Sequence, residues 1–191
     1  MATITAPSTL PWTGDDEADR LTARDPNALL IGFALDQQVT VQKAFSGPLE
    51  IQRRLGTLDP GQIAATDPGK LEEVFRTRPA IHRFPGAMAQ RVQSLCAYLA
   101  EHYGGDGSRV WTEATTGADL QRRLGELPGI GDMKVRSLTA TLVKQFGLKP
   151  PGYRDVLPNH PTLGDVDSAE ALAAYQAAKR AHKAAMRASA R

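Results

Sequence analysis

The chain has almost nothing with which to staple or anchor itself. It holds one cysteine, Cys96, in 191 residues. No internal disulfide can form, and one thiol holds neither an iron–sulfur cluster nor a cysteine-rich zinc site. No apolar run approaches the roughly 20 residues that cross a bilayer. The stretch Met1 to Pro11 lacks the basic start and apolar follow-on of a secretory signal. Nowhere do apolar and polar residues alternate with the period of a strand, and no internal repeat is visible. These absences exclude a disulfide scaffold and a membrane-spanning chain. They leave an all-α, cytoplasmic monomer without metal or cofactor as the expectation.

What is present suits a compact helical unit. Hydrophobic residues make up 41% of the chain, enough for a core, and charged residues an ordinary 23%. At this length one domain, or two small lobes, is expected. The net charge of +2 is unevenly placed: residues 1–119 carry 11 Lys/Arg against 15 Asp/Glu, residues 120–191 carry 12 against 6. A basic C-terminal part fits a polyanion partner, and equally a helix charged for solubility.

Helix punctuation divides the chain. Asp25-Pro26, Asp59-Pro60 and Asp67-Pro68 each set a capping carboxylate before a proline that loses nothing at a first helical position. Ser46 reads as a similar cap for a short stretch ending at Gly56. Residues 1–24 are polar and acidic and read as a partly ordered arm. From Ala28 to Phe45 the chain is apolar on nearly every side until Asp36, the mark of a central helix. Met88, Val92, Leu95, Cys96 and Leu99 share one helical face, ended by Gly104-Gly105. A short helix is expected over 119–127 and a longer one over 131–146, with Val135, Leu138, Leu142 and Phe146 inward. The proline-rich stretch 154–165 should be irregular. Asp167 then caps a basic last helix over 167–191, with Lys179, Arg180, Lys183, Arg187 and Arg191.

Leu127-Pro128-Gly129-Ile130-Gly131, between two short helices, carries the strongest signal. Pro128 ends the first helix. Gly129 and Gly131 permit positive φ and leave no side chain between backbone and ligand, and Ile130 can plug the turn into the core. The free amides would meet the positive end of the next helix, an anion site suited to one DNA phosphate. Lys134 and Arg136 can add charge, though only one need face the DNA. Such a site grips backbone and reads no sequence. The same five residues would also serve an ordinary tight turn between helices.

Leu-Pro-Gly-Ile-Gly before a basic helix resembles the helix-hairpin-helix of base-excision DNA glycosylases, the superfamily of endonuclease III, the adenine glycosylases and the 3-methyladenine glycosylases. Two further segments are similar in order and spacing. Leu29 to Val41 resembles their apolar helix that ends in Gln-Gln-Val-Ser near the DNA. Phe84-Pro85-Gly86-Ala87-Met88-Ala89-Gln90-Arg91-Val92 resembles their Gly-apolar-x-x-x-Lys-Ala segment. Together the matches span residues 25–147, and Gln37-Gln38-Val39-Thr40 leans toward the 3-methyladenine class.

The resemblance implies a two-lobed helical bundle over residues 25–166, with the hairpin at about 119–146. It also implies double-stranded DNA with a damaged, alkylated base as partner, and hydrolysis of that base after it is flipped from the duplex. It puts Gln37 and Gln38 near the vacated stack; as plain surface residues they would follow the buried turn just as well. Members with lyase activity carry a lysine four residues after the first hairpin glycine. Here that position is Met133, with Lys134 about 100° round the helix, so a monofunctional enzyme using water is expected. The family's aspartate lies 18 to 20 residues further on. Nothing carboxylic stands there: Asp155 follows slightly late and Asp167 later still, in a Val-Asp-Ser that resembles the family's Val-Asp-Thr. Either, or neither, fills that role. His160 is a possible polar partner in the same loop, and Trp111, Tyr153 and Tyr175 are candidates for base stacking. Should the aspartate be absent, a catalytically silent protein that binds damaged DNA is the alternative.

Overall fold

The computed structural model describes residues 4–189, without the side chains of His182, Lys183, Arg187 and Ser189. Among the described residues every regular element is a helix. Lys183, Arg187 and Arg191 of the basic C-terminal run lie outside the described side chains.

Ten α-helices follow in order: α1 (Asp16–Arg24), α2 (Pro26–Leu35), α3 (Val41–Leu55), α4 (Pro60–Ala65), α5 (Pro68–Arg76), α6 (Pro85–Tyr103), α7 (Arg109–Thr112), α8 (Gly117–Gly125), α9 (Asp132–Lys144) and α10 (Ala169–Ser189). The expected caps are in place. Asp25, Asp59 and Asp67 accept backbone N–H bonds at the starts of α2, α4 and α5, each with proline in the first turn. α2 is buried from Ala28 through Leu35 with no polar face, so it must lie in the middle, and it packs against α1, α3 and α6. The stripe Met88, Val92, Leu95, Cys96 and Leu99 turns α6 inward, and α4 and α5 lie along that helix. Burial pushes the Cys96 thiol up to about 12, which makes it an inert core residue.

Three local expectations are corrected. Residues 4–24 are no loose arm: Leu10 and Trp12 are fully buried, and α1 packs on α3. Trp12 meets Phe45 and Phe33 edge-to-face at 4.7 and 6.1 Å, and its indole N–H donates to Val166 O at 3.3 Å. Such aromatic pairs add about 0.5–1.5 kcal/mol each beyond the area they bury. A polar, acidic sequence thus hides two anchors that join the start of the chain to its last quarter. Ser46 is interior to α3, and Thr40 is the cap. Pro48 does not break that helix, and the Ser46 hydroxyl donates to Gln42 O at 2.7 Å. At the start of α10 the Ser168 hydroxyl, not Asp167, accepts from the first turn, taking the Ala171 N–H at 3.1 Å.

Residues 153–156 and 163–165 form two short 3-10 turns within an otherwise irregular connection. The second lies backbone to backbone on α9: a Cβ at Gly164 would stand 2.6 Å from the Ala140 carbonyl carbon, so only glycine fits.

Candidate nucleic-acid interface

α8 leaves two buried leucines, Leu124 and Leu127, at its C-terminal end. After Pro128 the chain turns at Gly129, whose φ of +85° belongs to the left-handed region that glycine enters freely. Ile130 returns its N–H to Leu127 O at 3.1 Å and is only 4% exposed, so the side chain anchors the turn in the core. Gly131 then caps α9 in extended geometry, with no side chain over the helix end. The amides of Gly131, Asp132 and Met133 have no hydrogen-bond acceptor among the described residues. Three donors thus stand at the positive end of a 13-residue helix.

An open groove of about 710 Å³ runs along this turn, lined by residues 125–134 together with Gln37 and Arg91. Its two outside members come from the other two segments singled out in the sequence. Gln37 follows the end of α2. Its N–H donates to Leu35 O at 2.7 Å, and its carbonyl accepts from His82 Nε2 at 3.0 Å. His82 is 1% exposed, and its Nδ1 accepts the Phe84 N–H, which places the ring proton on Nε2. Burial lowers the imidazole below its ordinary value, in keeping with a neutral ring. Arg91, on α6, donates from Nη1 to Gln37 Oε1 and lays its aliphatic stem over Gly129. Gln38 beside it is exposed and holds φ at +56°, a left-handed conformation uncommon outside glycine.

Lys134 and Arg136 take different directions. The Lys134 amine turns inward and donates to Ala34 O and Gly129 O, both at 3.0 Å, tying the end of α2 to the turn. Burial lowers it to about 8, with Asp36 acting against that shift and Arg91 adding to it. Arg136 is exposed and makes no ion pair among the described residues. Met133 is 69% exposed at the groove. Asp36 caps α2 with its backbone. Burial raises its carboxyl, against the pull of Lys179 and Lys134. α10 reaches this corner through Tyr175, Lys179 and paired amides of Gln176 and Gln42.

The candidate carboxylates stand elsewhere. Asp155 is exposed in a 3-10 turn against α8, near Gly117, where the Gly117 N–H meets Pro151 O. The hairpin leaves the other end of that nine-residue helix, about 12 Å away. Asp167 is exposed ahead of α10. Neither lines the groove, and His160 is an exposed loop residue. Trp111 is 3% exposed within the core and presents no face for stacking.

Sequence reading named Gln37, Gln38 and the hairpin but passed over Asp36, His82 and Arg91 as site residues. Arg91 had a signal, being the basic position of the third segment. Asp36 had another, as the acid that ends an otherwise apolar helix. His82 had none, since its role comes from a contact 45 residues away.

No helix among the described residues is long and apolar enough to cross a membrane, and no group of three or more His, Cys, Asp or Glu side chains converges there to hold a metal. Comparison with protein-family profiles, with characterised proteins and with solved structures finds no match to this chain.

Proposed function

We propose that this protein binds duplex DNA through the groove at the 127–131 turn and acts there as a monofunctional DNA glycosylase. Its substrate would be a damaged base, by resemblance an alkylated one. One observation carries the reading: three segments far apart in the chain, each similar to a glycosylase segment, meet in a single groove that carries several hydrogen-bond donors. Gln37, Arg91 and the free amides at the start of α9 are partners for an acceptor-rich anion, and a phosphodiester is such a group. Pro128, Gly129, Ile130 and Gly131 shape the backbone that approaches it, and Arg136, which does not line the groove, adds exposed charge on α9. The volume of the groove lies within the ~300–1,000 Å³ of ligand pockets, enough for one extruded nucleotide.

A second reading has an observation of its own. Asp155 and Asp167 do not line the groove, as a silent damaged-DNA-binding protein would allow.

One set of duplexes with single lesions tests both. Binding should weaken with salt, the logarithm of the affinity falling with a slope of about −2 to −3 for two or three phosphate contacts. Abasic sites formed at one lesion class support the enzyme. Tight binding without product from any lesion supports the silent binder. No binding at low ionic strength overturns both.

A further inference from the structure

We propose that Lys134 is the proton donor of the groove, and that the base released there is therefore an uncharged one. The inference rests on the reading of the groove as a glycosylase site.

Lys134 is held as a donor should be. An ammonium has three N–H bonds. Two are spent on Ala34 O and Gly129 O, and the third has no acceptor among the described residues. Lys134 is one of the residues that line the groove, with Gln37 and the turn, and the third bond of its inward-turned amine is the one left for a group that enters. The charged and titratable groups around it come from five elements or their ends. Asp36 follows α2, with Tyr175 and Lys179 of α10 facing it; Arg91 stands on α6; Glu126 and Asp132 are exposed at the groove on either side of the turn. A guanidinium does not surrender its proton in a protein, so Arg91 can bind but not protonate. Burial brings Lys134 to about 8, charged at neutral pH yet ready to give up its proton.

That proton decides which bases can leave. When the C1′–N bond breaks, its electron pair stays on the base. An uncharged base would depart as an anion; a proton passed from Lys134 to one of its ring acceptors lets it depart neutral. Water oxygen then bonds to C1′, the water proton goes to solvent, and the amine takes a proton back from solvent. A cationic N-alkylpurine already leaves as a neutral molecule and needs no acid. The groove as built would favour the first kind.

The test uses the intact protein and two duplexes, one carrying 1,N6-ethenoadenine, uncharged, the other alkylated to carry 3-methyladenine, cationic. Single-turnover base release is followed from pH 6 to 9.5. For the uncharged base the rate should fall about tenfold per pH unit above about pH 8, while release of the cationic base stays flat. Asp36→Asn removes the negative charge that helps Lys134 keep its proton, so the falling limb should move to lower pH. Lys134→Met should lose about 100-fold or more on the uncharged base and much less on the cationic one. The profile of the unaltered protein and the Asp36→Asn shift hold even if Lys134→Met loosens the turn. Release of the uncharged base at a rate level across pH 7 to 9.5, or release of the cationic base alone, overturns the proposal while leaving a glycosylase. Release of neither base, with duplex still bound, overturns this proposal, and the absence of product from every lesion of the wider panel overturns the glycosylase reading with it.

Discussion

The stem of Arg91 lies directly over the α-carbon of Gly129: a Cβ built there would stand 2.7 Å from Arg91 Cδ. One glycine therefore does two things. It takes a left-handed turn, and it lets a side chain from α6 close over the hairpin and reach Gln37. Gly129→Ala meets both obstacles and should cost about 1–3 kcal/mol, read as a lower Tm, together with weaker duplex binding. Gly131 sits in extended geometry with open space where a Cβ would go. Gly131→Ala should cost less than about 1 kcal/mol, the scale of a helix-cap change. Equal losses in the two variants would show that Arg91 yields freely and that the contact does not hold the turn.

Asp155 and Asp167 make a second prediction by their distance from the groove. Asp155→Asn and Asp167→Asn should each release base within about threefold of the unaltered rate, since neither carboxylate can reach a sugar in that groove and losing a true charge-stabilising group costs far more, about 100-fold or above. Single-turnover rates on the lesion panel check this. A 100-fold loss in Asp155→Asn alone would mean that the 153–156 turn swings to the hairpin when DNA binds.

The helices were legible because their signals are local. The Asp-Pro caps, the apolar face of α6 and the unbroken apolar α2 all act within a turn or two of the chain. The turn between α8 and α9 was legible for the same reason, five adjacent residues setting its shape. Trp12 was not, because its burial depends on Phe33, Phe45 and Val166, and the residues around it are polar. Nor was the direction of Lys134. Its spacing on α9 allowed an outward amine, but the open carbonyl of Ala34, 100 residues earlier, draws it inward. His82 and Asp36 are functional candidates through contacts between distant elements, which periodicity and capping do not report.

Lys134 also predicts how stability responds to alkali. Its folded value, about 8, lies below the ordinary 10.5, so between those values the unfolded chain binds more protons than the folded one. Stability then rises with pH across that window, the reverse of the usual lysine with a carboxylate partner. Chemical denaturation at pH 7.5, 8.5 and 9.5 should show this contribution growing, and Lys134→Met should remove it. An unchanged pH dependence in that variant would place the amine in water.

His82 gives a response of the same sign in a lower window, on the acid side. Its ring is buried and neutral, donating from Nε2 to Gln37 O and accepting the Phe84 N–H at Nδ1. Because the folded value is lowered, acid protonates the unfolded chain first as the pH drops below about 6.5, and stability falls until the folded ring is titrated too. Protonation of the folded ring would also set an N–H against the Phe84 N–H, breaking the bond between His82 and the start of α6, while Nε2 still donates to Gln37 O at the end of α2. His82→Ala removes both bonds and strands the Gln37 carbonyl, which should cost about 1–3 kcal/mol at pH 7. The difference from the unaltered protein should shrink at pH 5, where the imidazole has already lost part of its contribution. Unfolding curves for both proteins at the two pH values measure this. Because Gln37 lines the groove, duplex affinity of His82→Ala should drop at pH 7 even at temperatures where the chain stays folded. Affinity equal to that of the unaltered protein would mean that Gln37 keeps its place without the histidine.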